Sequence, residues 1–195
     1  MRVLKADEYR RMPWRNGHGE TAQIAIGPAG ATLNDFDWRV SMARIDADGP
    51  FSIFPNIDRT LTVLRGDGLH LSIAGSAPVE LTCDSEPLAF PGDLAGNATL
   101  LGGPVTDLNV MTQRERFKHS MRRVRVAGRV DLAVEAPLAL LVCAQAAVRV
   151  EVNAQTARLA TLDTLLLERT TSTLQIFSDA LALVYLIEIR RQANK

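Results

Sequence analysis

The sequence predicts an all-β protein made of two fused barrel-like halves. Three observations carry that expectation. Apolar and polar residues alternate with period two wherever the chain is regular, glycine and proline punctuate short runs, and the second half repeats the outline of the first.

Taken in order, Ala6–Met12 has room for a turn or two of helix and little more. Trp38-Arg39-Val40-Ser41-Met42-Ala43 alternates as a half-buried strand does, and so do Thr60–Leu64 and Leu69–Ile73. Arg65-Gly66-Asp67-Gly68 lies between the last two and suits positive φ, so the pair reads as a hairpin. Further strands are expected at Val79–Thr82, Ala98–Leu101 and Asp107–Thr112, separated by Gly92-Asp93, Gly96-Asn97 and Gly102-Gly103-Pro104. From Gln113 to Arg129 the chain is at its most basic. With Phe117 as the lone aromatic for base stacking, this stretch is read as a solvated connector rather than a nucleic-acid arm. Beyond it, Leu138–Val142 and Val148–Val152 repeat the first strand pair. Ala157–Asp163 with Thr164–Leu167 repeats Leu88–Asp93, and Leu174–Phe177 with Ala182–Ile189 repeats the closing strands. Residues 1–115 are thus expected to form the first barrel and 116–195 a smoother, degenerate second one, packed as one compact unit.

Composition bounds the function classes. Hydrophobic residues at 47% can bury a core, and charged residues at 23% leave an ordinary surface. A formal net charge of zero provides no field to recruit nucleic acid or an anionic membrane. The start of the chain holds no apolar run that could serve as a secretion signal. Leu138–Val142 and Leu181–Ile187 are far below the roughly 20 residues a membrane helix needs. Cys83 and Cys143 stand apart in apolar settings and read as reduced, buried thiols, so a cytoplasmic protein is expected, with neither nucleic acid nor membrane as partner. The oligomeric state is left open, with a homodimer as the candidate.

Five ordered blocks carry a resemblance. They are PWRNGHGETAQIA from Pro13, WRVSMARI from Trp38, DGPFSIFPNIDRTLTVLRGDG from Asp48, LAFPGD from Leu88 and GGPVTDLNVMTQR from Gly102. Together they resemble the HutD/Ves family over most of residues 13–114, with Pro91-Gly92-Asp93 similar to a cupin turn. The resemblance implies a bicupin, two fused cupin-like jelly-roll β-barrels. It also implies a link to the regulation of histidine utilisation, and a small acid such as a formylated or formimino glutamate as the associated metabolite. It implies no defined reaction. Two positions depart from the family pattern: His18, where a glycine is usual, and Gln23, where a glutamate is usual.

Metal-dependent cupins present an H-x-H pair, a following glutamate and a later histidine. Here His18, His70 and His119 form no such pair, and the position of the metal-binding glutamate, counted back from Gly66, holds Arg59. A guanidinium repels a cation and grips a carboxylate. No metal and no other cofactor is therefore expected. The candidate ligand site is a carboxylate pocket around Arg59, joined by Asn16, Thr21, Arg39, Ser52 and Asn109. Trp14 stands in the same turn-rich loop as Asn16. Ser41 shares a strand face with Arg39, and Asp107 shares one with Asn109 and Met111. Parity alone leaves open whether those faces meet a cavity or solvent. No catalytic residue can be assigned, since no nucleophile has an evident partner and no G-x-S-x-G, P-loop or dinucleotide fingerprint occurs. A non-catalytic binder of a small carboxylate is put first. The alternatives are a metal-free hydrolase or isomerase using Asp107 or Glu20 as base, and a protein–protein interaction module.

Overall fold

A computed structural model describes residues 1–168 and 172–192. The strands are β1 (Arg2–Leu4), β2 (Arg10–Pro13), β3 (Gly19–Gly27), β4 (Trp38–Ile45), β5 (Gly49–Phe51) and β6 (Ile57–Arg65). They continue with β7 (Leu69–Ile73), β8 (Val79–Leu81), β9 (Leu88–Pro91), β10 (Gly96–Leu100), β11 (Val105–Gln113) and β12 (Phe117–Val134). The last are β13 (Leu138–Gln145), β14 (Val148–Val152), β15 (Gln155–Leu159), β16 (Thr164–Glu168) and β17 (Ser172–Arg191). The one helical turn among the described residues is the 3-10 segment Ala6–Glu8, after which the chain becomes β2, not more helix. No helix among the described residues is long and apolar enough to cross a membrane.

The chain divides into two compact units, Arg10–Lys118 with Gln192, and Met1–Tyr9 with His119–Arg191. The first nine residues, expected with the first barrel, therefore pack with the C-terminal strands. Val3 lies opposite Leu165 in the β1–β16 pair, and the Tyr9 hydroxyl reaches the Leu162 carbonyl oxygen and Thr164 Oγ1 at 2.8 Å each.

In the first unit a six-stranded antiparallel sheet runs β2-β3-β4-β11-β6-β9, and a four-stranded sheet runs β5-β10-β7-β8. Ile45, Leu61, Val63 and Phe90 from the larger sheet pack with Leu69, Leu71, Leu81 and Ala98 from the smaller in one apolar cluster. Period two dictates this, because the alternate residues of each strand then share one buried face. The expected β6–β7 hairpin is not one. β6 pairs with β11 and β9 while β7 pairs with β10 and β8, so the glycine turn carries the chain from one sheet to the other. Gly66 and Gly68 have φ of 98° and 113°, which only glycine adopts without strain.

The second unit is a seven-stranded sheet of order β1-β16-β13-β17-β14-β15, with β12 also on β17. Its pairings reproduce those of the first: β13 takes β16 and β17 as β6 takes β9 and β11, and β14 takes β15 and β17 as β7 takes β8 and β10. Two expectations are corrected here. The basic stretch enters the long strand β12 rather than a solvated connector, with Val126, Leu132 and Val134 inward and Arg125 and Arg129 outward. The two closing strands are one, β17, because Ser178-Asp179-Ala180-Leu181 has no counterpart of the Gly102-Gly103-Pro104 break between β10 and β11.

Candidate functional site

Cross-strand register decides which face the polar residues occupy. Met111 on β11 lies opposite Arg39 on β4 and Arg59 on β6, Asn109 lies opposite Ser41, and Asp107 lies opposite Ala43, which faces Thr21 on β3. Residues directly opposite one another project from the same face of a sheet. That face lines a cavity of about 580 Å³ in the first unit. Arg59, Trp14, Asn16, Thr21, Arg39, Ser41, Ser52, Asp107 and Asn109 all border it. Glu20, weighed as a base, does not; it points outward and pairs with Arg11 at 2.7 Å.

Arg59 is 6% exposed and its setting is mostly aromatic. Its Cζ lies 5.0 Å from the Phe51 ring, 5.9 Å from Phe54 and 5.1 Å from Phe90. Phe90 arrives from β9, opposite Arg59, while Phe51 and Phe54 come from β5 and the loop after it. Nη1 donates a long hydrogen bond of 3.4 Å to the Ser52 carbonyl oxygen, and Nε, buried, has no protein acceptor. Neighbouring Asp58 does not pair with it. One residue along the strand, Asp58 faces the other way and binds Arg114, which also holds Asp93 through two nitrogens. Gly92 of the Pro91-Gly92-Asp93 turn lies flat on the Arg59 stem, where a Cβ would come within 3.0 Å of Cδ. Its carbonyl accepts the Phe54 N–H at 2.8 Å. The turn read from the sequence thus packs directly against the arginine's stem.

Arg39 is buried as well and donates from Nε to Gln23 Oε1 at 3.3 Å. A neutral amide stands there, so the partner leaves the guanidinium's charge in place. Burial lowers the Arg39 and Arg59 pKa values against the pull of Asp107, Arg59 to about 10, and both stay cationic at neutral pH. Asp107 is 2% exposed, accepts the Ala43 N–H at 3.1 Å and forms no ion pair with either arginine among the described residues. Burial pushes its carboxyl up to about 7, with Arg59, the Ala43 amide and Arg39 each pulling down. Asn109 Oδ1 is buried without a donor.

The rim is the β2–β3 turn. Gly17 takes a φ of 74°, and Asn16 Oδ1 accepts the His18 N–H at 3.1 Å, so the asparagine closes the turn. Trp14 Nε1 donates to Thr21 Oγ1 at 2.8 Å, which holds the indole at the mouth. Leu33, Phe54 and Met12 add apolar wall. Phe54, Met12 and Arg15 were not singled out from the sequence, since no local pattern joins them. None of the three histidines lines the cavity. Among the described residues, no group of three or more His, Cys, Asp or Glu gathers as for a metal ion.

A family model, HutD, matches residues 6–184. The chain belongs to the HutD family. An uncharacterized 21.2 kDa protein in the hutC 3′ region of Pseudomonas putida is 37% identical over 118 residues, 60% of this chain and 61% of that one. Protein Ves of Citrobacter koseri is 40% identical over 126 residues, 63% of each. The matched stretch thus spans less than two thirds of either relative. Among solved structures, the conserved protein of unknown function PA5104 from Pseudomonas aeruginosa PAO1 superposes with a TM-score of 0.91 at 32% identity, over 97% of this chain and 98% of that. HutD from Pseudomonas fluorescens SBW25, solved in a formate condition, gives 0.82 at 29% over 98% and 99%. A cupin 2 conserved barrel domain protein from Leptotrichia buccalis gives 0.61 at 8% identity over 97% and 100%, which shows a shared cupin-like fold alone.

Proposed function

We propose that this HutD-family protein is a cytoplasmic binding protein that captures a small carboxylate metabolite without a metal, in a regulatory or accessory role linked to histidine utilisation. The observation that carries the reading is the Arg59 guanidinium, 6% exposed at the cavity, with a buried Nε that no protein acceptor meets. A buried donor left unpaired is costly, and an anionic oxygen at that point would remove the cost. Arg39 adds a second cation, while the only acid on the cavity wall among the described residues is Asp107. The rest of the wall mixes apolar side chains with neutral polar ones such as Thr21, Ser41 and Asn109, as in pockets for compact metabolites. The formate condition of the P. fluorescens HutD structure makes formate the simplest probe. The hutC-region name of the P. putida relative supports the pathway link. The repeated strand pairings support a two-cupin architecture in which the first barrel carries the pocket with the buried arginines.

The test is a thermal-shift screen of formate, amino acids, dicarboxylates, histidine-pathway acids and divalent cations against wild type and Arg59→Met. A ligand at one hundred times its Kd adds about 2.7 kcal/mol to stability. Carboxylates stabilise wild type and leave Arg59→Met unmoved. An undiminished response in Arg59→Met, or a response to cations alone, overturns the reading.

One observation favours a second reading. A buried carboxyl with a pKa of about 7 suits general acid–base chemistry at neutral pH. A metal-free hydrolase or isomerase would turn over one of the screened acids, and Asp107→Asn would abolish turnover while sparing binding.

A further inference from the structure

Asp107 stands on the same wall as the two arginines but forms no ion pair with either among the described residues. Along β11 it is two cross-strand rows from Met111, the row that Arg39 and Arg59 flank. Its one described hydrogen bond comes from the Ala43 amide, and it borders the same cavity as the two arginines. An anion bound to the guanidinium groups therefore shares the cavity with this acid. The charged groups that face Asp107 are Arg39 from β4 and Arg59 from β6, with Arg15 at the exposed rim. β3 offers only neutral Thr21 and Gln23.

Resting on the carboxylate-binding reading, we propose that capture of an acid by this pocket is coupled to uptake of one proton by Asp107. An ionised Asp107 repels an incoming carboxylate across the cavity, where burial screens such repulsion less than at the surface. A protonated Asp107 removes that repulsion and turns the same group into a donor for a ligand oxygen. The proton comes from solvent and no bond is made or broken within the ligand. Burial already holds the carboxyl near neutrality, at about 7, so a small further push by the ligand's charge completes protonation at physiological pH. The pocket thereby selects anions while keeping its own acid neutral, and its affinity falls as the medium becomes alkaline. Below the free pKa of Asp107 the group is protonated in both states and affinity is flat. Above it, up to the pKa in the complex, affinity falls by up to tenfold for each pH unit.

The experiment measures the Kd of formate for the full chain from pH 5.5 to 9, with wild type and Asp107→Asn. A second measurement follows the pH of a weakly buffered wild-type solution on mixing with neutralised formate, and needs no variant to fold. The expected result is a Kd that is level below about pH 7 and rises by up to tenfold per unit above it. Alkalinisation of approximately one proton per bound formate accompanies binding at pH 8, and Asp107→Asn binds formate with a flat profile. Formate binding by wild type with a flat profile and no proton uptake overturns the proton coupling alone, leaving carboxylate binding intact. A slope that persists in Asp107→Asn assigns the proton elsewhere and overturns the role of Asp107. Absence of any formate response at every pH overturns the binding reading and this inference with it.

Discussion

Proton linkage at Asp107 also makes a prediction that needs no ligand. In an unfolded chain the carboxyl has a pKa of 3.8, and in the folded protein burial raises it to about 7. A raised pKa means that the folded state holds the proton longer than the unfolded one. The stabilising contribution is then complete below pH 3.8 and lost as pH rises through about 7. A shift of about three units at 1.36 kcal/mol each gives a loss of about 4 kcal/mol across that window. Because Asp107 is 2% exposed, solvent screening takes little from this figure. Asp107→Asn cannot ionise, so subtracting its stability from that of wild type at each pH isolates this group from every other titration. The difference moves against wild type by about 4 kcal/mol between pH 4 and 8, and is level beyond. Denaturant unfolding followed by tryptophan fluorescence is the assay. Trp14 and Trp38 are the only two tryptophans and both lie in the pocket-bearing unit, so the signal reports that unit. A difference independent of pH, or one that moves in favour of wild type as pH rises, would refute the burial argument.

Two further predictions concern positions whose roles are set by packing. Gly92→Ala places a methyl within 3.0–3.1 Å of the Arg59 stem, so it weakens carboxylate binding several-fold while costing roughly 1 kcal/mol in stability, read by thermal shift with and without formate. Asp163→Ala removes the acceptor of the Lys5 ammonium at 2.7 Å and of the Ala6 and Ala160 amides at 3.0 and 3.1 Å, and two orphaned amides cost roughly 2–4 kcal/mol by calorimetry. Burial raises the Asp163 pKa, but those hydrogen bonds outweigh it and hold the group below 3.8; its stabilisation is present above that pH and lost in acid.

Strand positions were legible because a half-buried strand must alternate. Leu69–Ile73 is found where it was expected, and Trp38–Ala43 and Asp107–Thr112 differ from β4 and β11 by two residues or fewer at each end. Pairing was less legible. Gly66 and Gly68 announce positive φ, but a turn's local chemistry does not say whether the next strand folds back or crosses to another sheet. In β12 the arginines hid an alternation, Val124-x-Val126 and Val130-x-Leu132-x-Val134, that a charge count passes over. At the site, residue types pointed to an anion pocket, yet which face they occupy follows from the register of β11 against β4 and β6. The phenylalanines around Arg59 come from three separate segments, and Phe90 reaches it only through the β6–β9 pairing. The neutral-range pKa of Asp107 arises from desolvation, which no sequence spacing encodes.

The contrast between the two units argues for one ligand per chain. In the first, Arg39, Ser41, Arg59, Asp107 and Asn109 are buried on one cavity wall, and Arg59 Nε and Asn109 Oδ1 have nothing in the protein to bond. In the second, the strands that pair alike carry Ala139, Leu141 and Cys143 on β13 and Val184 and Leu186 on β17, all in an apolar cluster. Of its buried polar side chains, Asp163, Thr164, Ser178 and Glu188 are already engaged. Asp163 takes the Ala6 and Ala160 amides, Glu188 those of Glu135 and Ala136, Thr164 the Tyr9 hydroxyl and Ser178 the Ala147 carbonyl. An anion entering that apolar cluster would lose its hydration and find no free donor, at a cost of several kcal/mol. In the first unit the desolvation of two cations has been met during folding, so the ligand is offered charge that is fixed and buried. The polar depression of the second unit, lined by Glu151, Asn153, Gln155, Thr156, Thr173 and Gln175, offers an anion no cation. Titration with a carboxylate therefore saturates at one equivalent per chain, and a second equivalent of comparable affinity would overturn this argument.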